Sequence, residues 1–267
     1  YRFSDVMDSD GVDEGYLTID LELTVAGSEI TFDLSRSSPT CRGPFNSPWS
    51  STITALMIGM KHVFPEVPIN AGCFVPFHYN IPLGCFLNPE PPAPVSGTTT
   101  ETAQRLIGVV MGALSQAVPE RVPAGCFGTG SNICIGGTAP GRGAYATIFF
   151  FGGGYGGSAA GDGLSNGSTL ISASRNSSIE IIEQTVPLLF NRHAVREGSA
   201  GAGRFRGGHG VEAAFTLRHG EAYLTLVGDR ALKGAYGLHG GQDGAPADHD
   251  FTVSGETFKA PHLSKID

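Results

Sequence analysis

Residues Leu17–Val25 read LTIDLELTV. Leu17, Ile19, Leu21, Leu23 and Val25 fall on one side of the alternation, and Thr18, Asp20, Glu22 and Thr24 on the other. Period two belongs to an extended chain, so this stretch specifies a β-strand with one buried face. Ala26-Gly27-Ser28 then turns the chain, and Ile30, Phe32 and Leu34 resume the alternation, which completes a hairpin. The period changes further on. Ala103, Leu106, Ile107, Val110, Met111, Leu114 and Val118 recur at 3.6 residues and predict a helix that ends before Pro119. A second helix is expected over about Pro48 to Val63. Ser47 is its N-cap, Pro48 its first position, and Ile53, Leu56, Met57 and Met60 its apolar stripe. Hairpins plus two amphipathic helices, without a repeating strand–helix alternation, define an α+β fold rich in strands.

The remaining elements are shorter. Eight prolines between Pro65 and Pro94 leave loops and short strands there. Tyr145–Phe151 reads as a buried strand that empties into GGGYGG (Gly152–Gly157). Ile179–Glu183 reads as a helical turn. Val186–Val195, Val211–Leu217 and Ala222–Val227 read as strands, the last two joined at His219-Gly220. The 267 residues suffice for one large domain, with residues 140–145 the place for any subdivision. Glycine supplies 39 of them, which predicts many tight loops. The densest tract is GSAGAGRFRGGHG, residues 198–210. It is either a backbone laid close to another group, with Arg204 and Arg206 offering positive donors, or a surface loop.

A net charge of −8 argues against a nucleic-acid binder. No run of 18 apolar residues predicts a membrane span. Five cysteines, odd in number and without a CxxC pair, suit a reducing cytoplasm better than a disulfide framework.

Two formal motifs lack their context. Gly152-x-Gly154-x-x-Gly157 fits a dinucleotide fingerprint, but the residues after it cannot open a helix. Gly163-Leu164-Ser165-Asn166-Gly167 fits a nucleophile elbow, but no strand precedes it and no helix follows. There is no phosphate-binding P-loop. The eight histidines form no metal-ligand spacing, and Asp248-His249-Asp250 would point its side chains to alternate faces of a strand. No metal site is therefore expected, and no catalytic residue is assigned.

Two polar groupings remain as substrate-binding candidates. Glu101 and Arg105 are four apart on the predicted helix. They either orient a polar substrate at its N-terminus or serve as a capping box from Thr98 plus a surface ion pair. Arg175, Asn176 and Glu180 sit in RNSSIE. Arginine offers a planar fork for a carboxylate or phosphate, and asparagine both donates and accepts, as an amide requires. The alternative is a structural loop pinned by Glu180.

Taken in order, RGPFNSP (Arg42–Pro48), INAGCF (Ile69–Phe74), ETAQR (Glu101–Arg105), PERVPA (Pro119–Ala124), RNSSIEIIE (Arg175–Glu183), the 198–210 tract and GLHGGQDGAP (Gly237–Pro246) resemble the second half of the hydantoinase B/oxoprolinase family. The resemblance runs from Tyr1 to Lys265. It implies that the chain is a C-terminal portion, truncated at both ends, of a longer B-type subunit. Members usually show His-Met-Thr-Asn-Thr-Arg-Asn-Thr-Pro-Ile-Glu where this chain has Leu170 to Glu180, so Leu170 and Ala173 replace a histidine and an asparagine. The resemblance further implies an ATP-dependent hydrolase opening a cyclic amide such as 5-oxoproline or a hydantoin. Its partner would be a hydantoinase A-like subunit that binds ATP and magnesium, and a divalent metal would belong to the missing N-terminal half. Acetone and acetophenone carboxylases are similar to this family, so a ketone carboxylase subunit is the second expectation. A non-catalytic assembly subunit is the third.

Overall fold

The computed structural model describes residues 1–141, 143–172, 174–259 and 263–266, the last four as backbone. Twelve strands and three α-helices follow in this order: β1 (Arg2–Met7), β2 (Leu17–Ala26), β3 (Glu29–Asp33), α1 (Trp49–Val63), β4 (Phe77–Asn80), α2 (Ala103–Leu114), β5 (Asn132–Ala139), β6 (Gly143–Phe150), α3 (Ile179–Thr185), β7 (Leu188–Val195), β8 (Val211–Leu217), β9 (Glu221–Val227), β10 (Asp250–Val253), β11 (Glu256–Lys259) and β12 (Leu263–Ile266). The arrangement is α+β.

The first sheet has the order β1-β2-β3-β4, antiparallel except for β4 beside β3. Leu17, Ile19, Leu21 and Leu23 are buried as the alternation requires, whereas Val25 emerges at the strand end. Helix α2 packs on β1 and β2, and α1 packs on α2. α2 departs from expectation, because all twelve of its residues are buried, Gln104 and Arg105 included. It is a central helix and not an amphipathic one, so its polar side chains must find partners inside the protein.

The predicted capping box does not form. Thr98 to Thr102 make one wide π-turn, closed by the Ala103 N–H on the Thr98 carbonyl. The Thr98 hydroxyl donates to the Asn46 carbonyl at 2.6 Å. Glu101 is fully buried, and its carboxyl oxygen accepts the Gly130 N–H at 3.2 Å. Nor do Glu101 and Arg105 make a surface ion pair. Arg105 is 1% exposed and holds Asp5 at 3.1 Å and Asp229 on its other nitrogen.

The second sheet has the order β12-β9-β5-β6. Ile133, Ile135, Phe149 and Leu226 from this sheet, with Ile182 of α3 and Val186 and Leu188 at β7, form a second core. β6 buries one face only, since Ala144, Ala146 and Ile148 are exposed. β8 and β9 are joined at residues 218–220 but do not pair. β8 pairs β7, and β9 lies between β5 and β12. The 140–145 stretch falls within the β5–β6 hairpin.

The glycine tracts pack on one another. The Gly208 N–H donates to the Tyr155 carbonyl and the Gly163 N–H to Arg206, while the Gln242 N–H reaches Ala202 and the Ala124 N–H reaches Gly157. A Cβ on Gly154 would lie 2.0 Å from the Gly208 carbonyl oxygen, and one on Gly156 2.2 Å from that of Ala124. Glycine is required because extended backbones touch here directly, without side chains between them.

Candidate functional site

Two cavities flank the segment 129–131. The larger, about 780 Å³, lies among the glycine tracts. Its walls are mainly backbone, and its cations are engaged. Arg196 donates to the Pro246 carbonyl at 2.7 Å, Arg230 pairs with Asp5 at 2.9 Å, and Arg204 stacks over Phe205. Asp248 and Asp250 pair with Lys259. The smaller cavity, about 590 Å³, is lined by side chains of several elements: Thr99 and Gln104 at the start of α2, Phe150 and Phe151 at the end of β6, Arg175 and Asn176, and His193 of β7. It falls within the range of small-molecule sites. Converging side chains can select a ligand, whereas bare backbone mainly fits one, so the smaller cavity is the candidate site.

Its loop is positioned from two sides. The Gln104 carboxamide accepts the Leu170 N–H at 2.8 Å and donates to the Thr99 carbonyl at 3.1 Å, which ties the loop to α2. The Leu170 carbonyl faces His62 Nε2 at 2.9 Å, and Leu170 packs against the first core. Ala173 lies outside the described residues. Asn176 Oδ1 accepts the Phe150 N–H at 3.1 Å, and its Nδ2 donates to the Phe150 carbonyl at 2.8 Å. The side-chain amide thus continues the sheet at the edge of β6. One N–H and one lone pair of Asn176 are left for a ligand.

Arg175 is exposed on the cavity wall and makes no hydrogen bond or ion pair among the described residues. Glu180 stands in the first turn of α3, outside the cavity lining. Its own backbone N–H and the Ser178 hydroxyl hold its carboxylate below the usual range. Of the five expected residues, then, Arg175 and Asn176 share the cavity, Glu180 stands apart on α3, and Glu101 and Arg105 lie beneath the floor.

That floor is an ionic cluster. Burial pushes Glu101 well above the ordinary carboxylate range; the Thr129 hydroxyl opposes this and nearby Asp229 adds to it. Asp5 behaves in the opposite way. Burial alone would raise it, but Arg105 and Arg230 outweigh burial and hold it low. Arg105 does the same for Asp229. Glu101 is therefore a neutral acid at pH 7, and its bond to Gly130 fixes the segment between the two cavities. Sequence reasoning missed Gln104 and His193 as lining residues. Gln104 lay inside the ETAQR motif, and nothing in local pattern marked His193. Among the described residues no three His, Cys, Asp or Glu side chains gather in a metal-ligand set, so no step is routed through a metal held by this chain. No helix of the described residues is long and apolar enough to cross a membrane.

This combination of buried polar helix, glycine bundle and Arg-bearing cavity has known counterparts. The family model of hydantoinase B/oxoprolinase matches residues 1–264, and the chain belongs to that family. It is 31% identical over 242 residues to 5-oxoprolinase 1 of Arabidopsis thaliana, covering 90% of this chain and 18% of that protein. It is 29% identical over 248 residues to the B-type component of a D-/L-hydantoinase from Pseudomonas sp. strain NS671, covering 89% and 41%. The fold matches that of the ATP-dependent caprolactamase from Pseudomonas jessenii with a TM-score of 0.82 at 23% identity, over 99% of this chain and 48% of that one. The chain thus spans less than half the length of the curated relatives it matches.

Proposed function

We propose that this chain supplies substrate-holding surface to an ATP-dependent cyclic amidohydrolase of the 5-oxoprolinase or hydantoinase kind. It would act with an A-type subunit that binds ATP and magnesium. The carrying observation is Arg175, an unpaired cation on a cavity otherwise walled by Phe150, Phe151, Ile171, Ile179 and neutral hydroxyls. A guanidinium there selects a ring bearing a carboxylate, the apolar walls take the ring's methylenes, and the spare Asn176 N–H meets its amide oxygen. Amides resist hydroxide because of resonance. Phosphorylation of the carbonyl oxygen by the partner would remove that protection, and this chain would then hold the activated ring in place. This reading favours hydrolysis over ketone carboxylation, since a simple ketone gives Arg175 nothing to bind.

The test is calorimetric titration of the native assembly with 5-oxo-L-proline, paired with an ATP-dependent ring-opening assay and a parallel assay with acetone and bicarbonate. Binding that disappears in Arg175→Ala supports the proposal. Turnover of acetone with no binding of 5-oxo-L-proline would replace it with the carboxylase reading. Neither activity in an assembly that contains an A-type subunit would leave a structural role.

A further inference from the structure

His193 reaches the candidate site because of an irregularity in strand pairing. Phe190 of β7 stands opposite Phe215 of β8, and His193 stands opposite Ala213, with the register shifting between Phe190 and Arg192. Phe190 and His193 are thus three apart in sequence while their partners are two apart. The inserted residue is Asn191, whose Oδ1 accepts the Thr216 hydroxyl at 2.8 Å. In an unbroken strand, residues three apart point to opposite faces. A bulge adds one residue to one strand and so re-aims the side chains after it. His193 accordingly joins Phe190 on one face, with the rings 6.5 Å apart and edge-on. It also lies 6.3 Å from the ring of Phe151, which lines the same cavity.

The imidazole is exposed, and neither of its nitrogens has a hydrogen-bond partner among the described residues. Arg175 and His193 are the charged or titratable side chains of this cavity's lining. The neighbouring ion pair of Arg192 with Glu212 is closed on itself at 2.8 Å. An arginine stays protonated and can only hold charge, whereas an imidazole can take up and return a proton at neutral pH.

We propose that His193 is the proton-transfer residue of this site, a catalytic role that rests on the cyclic-amide reading above. A water oxygen bonds to the ring carbonyl carbon while one of its protons passes to a ring nitrogen of His193. The carbon–nitrogen bond then breaks, and the imidazolium proton goes to the departing ring nitrogen. His193 ends neutral, as it began, and one water is consumed. Arg175 holds the substrate carboxylate throughout, and the aromatic shelf of Phe151 and Phe190 keeps the imidazole upright.

The experiment compares His193→Ala and His193→Asn in the native assembly, with 5-oxo-L-proline binding followed by calorimetry and ring opening by steady-state kinetics. Loss of a general acid–base group lowers kcat by about 100-fold or more. The expected result is that fall in both variants, with 5-oxo-L-proline affinity within about two-fold of the parent and partial recovery of His193→Ala on adding free imidazole. Unchanged kcat in either variant overturns the inference while leaving the function standing. A parallel loss of kcat and binding without imidazole rescue also overturns it, and makes His193 a packing residue. If the unmodified assembly fails to bind 5-oxo-L-proline, both the reading and this inference fall.

Discussion

Arg105 of α2 and Asp5 of β1 form an ion pair at 3.1 Å in which each side chain is 1% exposed. A hundred residues separate them in sequence, and the pair fixes the central helix to the edge strand of the first sheet. Asp229 and Arg230, from the segment after β9, complete the cluster and tie in the second core. Removing one partner of such a pair strands the other charge in the interior, at a cost of about 3–5 kcal/mol. Asp5→Asn and Arg105→Met should therefore each lower stability to that degree by urea unfolding. The double variant should lose less than the sum of the two. Additive losses would show that the charges are not coupled.

Glu101 gives the cluster a distinctive pH response. Its folded-state pKa lies above the unfolded value, so the folded protein holds a proton that the unfolded chain releases. Its contribution is complete below the ordinary glutamate range and is lost as pH rises towards the folded value. Asp5 and Asp229 are depressed, so their contribution is present above the ordinary aspartate range and is lost on acidification through their folded values. Glu101→Gln should match the parent in Tm at mildly acidic pH and exceed it at alkaline pH. Tm measured across pH decides the matter. A uniform loss would mean that Glu101 is ionised in the folded state.

Arg175 and Arg204 are both exposed arginines in loops, yet only Arg175 faces the candidate site. Arg175→Ala should lower kcat/KM of the assembly by ten-fold or more, in keeping with the roughly 1.5–3 kcal/mol of a charge-assisted bond. Arg204→Ala, which loses a stacking contact with Phe205, should change it by less than about three-fold. Melting temperatures of both variants should stay near the parent. Equal kinetic effects would move the site towards the larger cavity.

The glycine bundle predicts a contrast between two alanine substitutions. At Gly154 a methyl would lie 2.0 Å from the Gly208 carbonyl oxygen, so the tracts must separate. Overpacking of this kind costs about 1–3 kcal/mol and sometimes more. Gly161 has open space and no left-handed backbone, so Gly161→Ala should be neutral or stabilising by about 0.4–1 kcal/mol. Denaturant midpoints of the two variants provide the test. A tolerated Gly154→Ala would mean that the bundle is loosely packed.

Local pattern carried far in the first half of the chain. The alternation of Leu17–Leu23 set the buried face of β2, and the stripe of Ile53, Leu56 and Met60 placed α1, which begins one residue after Pro48. β5 left no such signal, because Gly136-Gly137 interrupts Asn132–Ala139 and reads as a turn. In the fold a Cβ on Gly137 would sit 2.1 Å from the Glu221 carbonyl oxygen, so β9 approaches closely only because the side chain is missing. Arg175 and Asn176 were legible as a polar group, but not that Asn176 would pair with Phe150.

What the sequence determined by itself was everything that depends on neighbours within one turn or one hairpin: the strand and helix periods, the α+β class and the ordered motifs of the family. Tertiary structure alone decided the fate of the polar side chains. Glu101 and Arg105 have the spacing of an exposed cap and ion pair, yet α2 is covered on every side and both are buried. His193 occupies an ordinary strand position, yet one bulge residue turns it towards Arg175's cavity. Periodicity reports which residues share a face of an element. Whether that face meets water, an opposite charge or a ligand depends on chain segments tens to hundreds of residues away, and the local pattern carries no record of them.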